Sequence, residues 1–142
     1  MEVNIQRQSG LYHLRSTNSE GRYVETDGSE AIGGTNKGVR PMEMILMSLG
    51  SCSAIDVIKI LEKGKQDLKD IKINIKAQRD QDAVPSLFTH IDVHYILIGD
   101  ISPKKAERAV DLSINKYCSV AQILKHTATI GYTFEIVKES NQ

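Results

Sequence analysis

Cys52 and Cys118 are the residues of this 142-residue chain best suited to chemistry. A thiol can be oxidised reversibly, and a sulfenic acid formed on one cysteine condenses readily with a second thiol nearby. The two lie 66 positions apart, so they form no Cys-x-x-Cys motif. The four histidines (His13, His90, His94 and His126) are scattered, and together with two cysteines they give no zinc-ligand spacing. A metal centre is therefore not expected. The plainer alternative stays open: both cysteines pack as small hydrophobes in the core.

Local position separates the two thiols. Cys118 stands at the start of a short helix, in Tyr117-Cys118-Ser119-Val120, where unpaired backbone N–H groups stabilise a thiolate. Cys52 lies well inside a long helix, and Asp56, four residues on, shares its face. A carboxylate there raises the thiol pKa, so an active Cys52 demands a cation from another segment.

The elements that hold these residues are legible in the punctuation. Short alternating runs around Val3-Asn4-Ile5, Leu11 to Leu14 and Arg22 to Glu25, separated by Gly and Asp-Gly, predict a β-meander with one buried face and Arg22 in a strand. Residues 27–40 hold four glycines and read as a mobile loop. Pro41 opens a helix running to about Lys63, with Glu43 complementing its dipole and Gly64 as its stop. From Met44 to Ile60 that helix is apolar or small on nearly every side, which predicts burial on several faces. Gly50 to Ala54 form a small-residue belt that would admit another backbone. Ile71, Ile73 and Ile75, then Ile91, Val93, Tyr95 and Leu97, alternate as two strands. Ser102-Pro103 starts a second helix, Ser119 to His126 a third, and Thr129 to Val137 a closing strand. Helices set apart from runs of strands predict an α+β fold in a single domain over residues 1–142.

Composition excludes several classes of function. With 18 basic and 18 acidic residues the chain has no cationic surplus for nucleic acid, and 5% aromatics with no Trp give no base-stacking platform. The polar N-terminus lacks a signal-peptide core, and no stretch holds about 18 consecutive apolar residues, so a cytoplasmic protein that does not enter a membrane is expected. In that compartment thiols stay reduced, and two cysteines suggest free thiols or a transient redox pair. A chain of this length buries roughly 68–70% of its unfolded surface and needs no disulfide to hold together.

The stretch Gly38-Val39-Arg40-Pro41-Met42-Glu43-Met44-Ile45-Leu46, followed by Leu49-Gly50-Ser51-Cys52, resembles the proline-led central helix of the OsmC/Ohr family (osmotically inducible protein C and organic hydroperoxide resistance proteins). Tyr117-Cys118-Ser119-Val120, followed by Ile123-Leu124, is similar to that family's second motif. The resemblance covers almost the whole chain. It implies an intertwined homodimer whose two sites are built from both subunits. It also implies that Cys52 attacks the O–O bond of an organic hydroperoxide, that Cys118 condenses with the resulting sulfenic acid, and that an external dithiol reduces the disulfide, with no bound cofactor.

The family activates its first cysteine with an arginine and a glutamate, and here the chain departs from the pattern. Met42 stands where the family glutamate follows the proline. Glu43, the nearest glutamate, is nine residues before Cys52, a rotation of about 900° that puts it on the opposite helix face. Arg40 and Arg22 are the candidate arginines, ahead of Arg15 and Arg7. A pocket for an apolar tail would be lined by Met42, Met44, Ile45 and Leu49. A redox-sensing or small-molecule-binding protein without peroxidase turnover is the alternative reading.

Overall fold

A computed structural model describes residues 1–138. The order of elements is β1 (Val3–Ser9), β2 (His13–Asn18), β3 (Tyr23–Thr26), α1 (Pro41–Lys63), β4 (Asp67–Arg79), β5 (Phe88–Asp100), α2 (Pro103–Leu112), α3 (Ser119–Leu124) and β6 (Thr129–Val137). This is the α+β order read from the sequence, with two separate three-stranded sheets and a long helix. Two compact units emerge, residues 1–47 and the residues from Ser48 on, with the boundary inside α1.

In the first unit β1, β2 and β3 form an antiparallel meander. Its apolar side chains are not covered as alternation suggested: Val3 and Ile5 remain 56% and 65% exposed. Arg22 lies just before β3 rather than within a strand, in a turn held by the Asn18 side chain, which accepts the N–H groups of Glu20 and Arg22 at 3.0 and 2.9 Å.

The loop expected to be mobile is tied down by one buried carboxylate. Asp27 accepts N–H groups from Gly28 (2.7 Å), Thr35 (3.0 Å) and Lys37 (3.1 Å), and the Thr35 hydroxyl at 2.7 Å. The Thr35 hydroxyl, ahead of the backbone donors, holds the Asp27 carboxyl down to about 2 against the opposing effect of its burial. The glycines permit close approach rather than motion: a Cβ on Gly34 would lie 1.9 Å from the Gly28 carbonyl oxygen. Val39 then pairs beside Thr26, and the chain enters α1.

In the second unit β5 is central, antiparallel to β4 and parallel to β6. A parallel pair needs a long crossover, and α2 and α3 supply it. Every second residue of β5 from Ile91 to Leu97 is buried, and with Leu49, Val57, Leu61, Ala106 and Val110 these form the core. Each large aliphatic side chain so buried contributes ~1.5–3 kcal/mol. Ser102 precedes α2, but its hydroxyl makes no capping bond; its N–H instead donates to the Gln66 side chain at 2.9 Å. α3 ends at Leu124, short of His126.

α1 begins at Pro41 and ends at Lys63, as the proline and Gly64 indicated. Its burial differs from expectation. Leu49, Gly50, Ser53, Val57 and Leu61 form one buried stripe, while Met47, Ile55 and Ile58 are 52%, 55% and 39% exposed. The helix is long and apolar enough to cross a membrane by length and composition, although Ser48, Ser51, Ser53 and Asp56 interrupt its apolar residues. Within the small-residue belt the close neighbour is a side chain, not a backbone: a Cβ on Gly50 would meet Ile75 Cδ1 at 3.1 Å.

Candidate thiol site

α1 and α3 bring together two thiols that are distant in sequence. Cys52 Sγ, Cys118 Sγ and an Asp56 carboxylate oxygen all lie within 4.8 Å of one another. Cys52 and Asp56 are one helical turn apart on α1, so their side chains project from the same face. Cys118 reaches them through a π-helical segment, Ser113–Tyr117, that ends when the Cys118 N–H donates to the Ser113 carbonyl at 2.8 Å. No disulfide joins the two cysteines; Cys52 is half-buried and Cys118 fully buried.

A buried hydroxyl network fixes this geometry. Ser53, next to Cys52, bonds the Tyr95 hydroxyl of β5, and Ser113 Oγ donates to the Ser53 carbonyl at 3.1 Å and lies 3.0 Å from Ser53 Oγ. All three residues are fully buried, and burial pushes the Tyr95 hydroxyl up to about 12. The network joins the middle of α1, the central strand and the segment that leads to Cys118. No local pattern points to it, because its members are three small or amphipathic side chains separated by 42 and 60 positions.

The electrostatics of Cys118 reverse the expectation from its place at a helix start. The Ala121 N–H does donate to its sulfur, at 3.4 Å. Burial outweighs that bond, and with the Cys52 thiol beside it the Cys118 thiol is pushed up to about 11. The N–H groups of Ala121 and Val120, from a six-residue helix, do not offset the loss of water around a fully enclosed sulfur. Asp56 Oδ2 is also buried and without a hydrogen-bond partner among the described residues. A buried oxygen of that kind is a hydrogen-bond acceptor whose donor is missing. The two sulfurs and a carboxylate oxygen could also converge on a thiophilic cation such as Zn²⁺. Closing on one would require Cys118 to release its proton.

Leu49 is fully buried in the core, and its carbonyl oxygen lies 4.0 Å from Cys118 Sγ. Met42, Met44 and Ile45 are half-buried on the first two turns of α1. Glu43 accepts the Arg40 N–H at 2.8 Å, which satisfies a free donor at the helix start. Arg40 directs its guanidinium into the Asp27 loop, donating to the carbonyls of Asp27 and Gly38 at 3.2 Å each and to the Asn36 side chain. Arg15 pairs with Glu25 at 2.8 Å and stacks on Tyr23, while Arg22 and Arg7 are exposed.

Residues 34–133, which carry both cysteines, match the model of the OsmC-like protein family. The chain belongs to the OsmC family. Protein YhfA of Escherichia coli K12 is 41% identical to this OsmC-family chain over 138 residues, 96% of this chain and 98% of YhfA. A hypothetical protein from Aquifex aeolicus VF5 shares the fold with a TM-score of 0.85 at 35% identity, covering 98% of this chain and 97% of that one. An organic hydroperoxide resistance protein OsmC from Legionella pneumophila has a TM-score of 0.72 over 95% and 97% of the two chains at 12% identity, a likeness of fold.

Proposed function

We propose that this OsmC-family protein reduces organic hydroperoxides with its two thiols, and that Asp56 moves the protons. The observation that carries this reading is the meeting of Cys118 with Cys52 and Asp56 within 4.8 Å, across a sequence separation of 66 residues between the two thiols. Cys52, the more accessible thiol, attacks the terminal oxygen of the hydroperoxide. Asp56 takes the thiol proton and returns it to the departing alkoxide, giving an alcohol and a Cys52 sulfenic acid. Cys118 then attacks the sulfenic sulfur. Its proton, held firmly up to about pH 11, needs a base within reach, and the Asp56 carboxylate is that base. The hydroxyl leaves as water and a Cys52–Cys118 disulfide forms. An external dithiol reduces the disulfide and is itself oxidised to a disulfide, so the cycle closes without a bound cofactor.

In this reading Asp56 does the proton transfer that an arginine and a glutamate assist in better-known family members, the position of that glutamate being held here by Met42. The exposed Met47, Ile55 and Ile58 of α1 are suited to a second copy of the chain, and we place the protein in the reducing cytoplasm as a homodimer. A second reading, a thiol pair that is oxidised reversibly without turnover, draws on the complete burial of Cys118, which slows attack by an external reductant. Steady-state reduction of cumene hydroperoxide with dihydrolipoamide, by wild type, Cys52→Ser and Cys118→Ser, distinguishes the two. Turnover that vanishes in Cys52→Ser supports the peroxidase. A single oxidation event with no turnover above the Cys52→Ser blank supports the sensor.

A further inference from the structure

Beyond the thiols, a groove of about 660 Å³ is lined by Lys59 and Lys63 of α1, Lys105 and Arg108 of α2, Asp56 and Tyr117. The paired spacings (four residues on α1, three on α2) set each couple of cations on one helix face, and the two faces converge on the groove. Lys105 donates to the Gly64 carbonyl at 2.8 Å. Lys59, Lys63 and Arg108 form no ion pair among the described residues. The chain as a whole balances its 18 basic and 18 acidic residues, yet this concavity gathers four cations against one lining carboxylate, Asp56. Like charges held together in a concave surface raise the local potential and concentrate anions.

We propose that this groove is a binding site for a small molecule bearing a di- or polyphosphate group. One carboxylate would neutralise a single cation, whereas a diphosphate matches three unpaired ones with acceptor oxygens to spare. The forked guanidinium of Arg108 suits two phosphate oxygens at once, and the ammonium groups of Lys59 and Lys63 act as point charges beside it. Ile60, Leu112 and Tyr117 add an apolar wall for the rest of the molecule. Asp56 belongs both to the groove lining and to the thiol cluster, while neither Cys52 nor Cys118 lines the groove itself. The site needs no thiol for binding, and its existence does not depend on peroxidase turnover.

Isothermal titration with pyrophosphate, orthophosphate and citrate at fixed ionic strength tests this, with wild type and Cys52→Ser side by side. Saturable binding of pyrophosphate, tighter than either orthophosphate or citrate and equal in both proteins, is the expected result. The double variant Lys59→Gln, Lys63→Gln should weaken it by roughly tenfold or more, and Arg108→Lys, which keeps the charge and loses the fork, by severalfold. A control pair outside the groove, Lys72→Gln with Lys104→Gln, should change it less than about twofold. Absence of saturable binding, equal loss in the control pair, or citrate binding as tightly as pyrophosphate would overturn the proposal.

Discussion

Asp56 and Cys118 share an enclosed corner in which a carboxylate oxygen lies within 4.8 Å of a sulfur whose thiol is held protonated up to about pH 11. Two opposite consequences follow for Asp56→Asn, and they differ in sign. If the carboxylate acts only as a like charge, its removal lowers the barrier to forming either thiolate and oxidation accelerates. If it accepts the proton, its removal slows peroxide-driven disulfide formation by ~10²–10⁴-fold. Stopped-flow oxidation with cumene hydroperoxide reads that sign directly, and deceleration is expected.

The burial of Cys118 sets its reactivity. Native Cys118 should alkylate far more slowly than Cys52 at pH 8, and its labelling should rise as pH approaches 11. Because folding raises this thiol's pKa, its contribution to stability is complete below the unfolded value of about 8.5 and is lost as pH rises through 11. Cys118→Ser should therefore show a flatter loss of stability over that window in denaturant titrations. Rapid labelling of Cys118 in the native protein at neutral pH would contradict the enclosure.

Much of this site was legible in the sequence, and the missing parts have physical reasons. Pro41 and Gly64 bounded α1 because one lacks an N–H and the other follows the last turn, and these are local properties. The two cysteine motifs identified which thiols to pair. What local pattern could not give was burial. The N-cap position of Cys118 suggested a lowered pKa, yet desolvation by residues far away in the chain decides its direction. Likewise the glycines of residues 27–40 signalled flexibility, whereas the fixed point is Asp27, whose partners lie up to ten residues on. The spacing of Lys59 and Lys63 shows two cations on one helix face, whereas their approach to Lys105 and Arg108 of another helix is a product of the fold.

The Asp27 loop gives a pH dependence of the opposite sign to Cys118. Its carboxyl titrates near 2 when folded and near 3.9 when unfolded, so its stabilisation is present above about pH 4 and is lost as pH falls toward 2. Amide protection of Thr35 and Lys37, corrected for intrinsic exchange, should fall across that window in wild type and be low throughout in Asp27→Asn. Protection unchanged down to pH 2 would mean that Asp27 does not hold the loop.

Tyr95→Phe removes one hydroxyl from the buried Ser53–Tyr95–Ser113 network and leaves the two serines to bond each other. A destabilisation of ~1–2 kcal/mol is expected in urea unfolding. Disulfide formation should also slow, because the network positions Ser53 beside Cys52. Full oxidation kinetics with reduced stability would show that the network supports the fold without placing the thiol.

The most direct test is a titration of the fully reduced protein with cumene hydroperoxide, followed by intact-mass and peptide mapping. One equivalent per chain should produce one cumyl alcohol and one Cys52–Cys118 disulfide. Cys118→Ser should instead stop at a sulfenic acid on Cys52 that dimedone traps. Peroxide left unreduced by the wild-type thiols, or oxidation that begins at Cys118 while Cys52 stays reduced, would contradict the assignment of Cys52 as the attacking thiol.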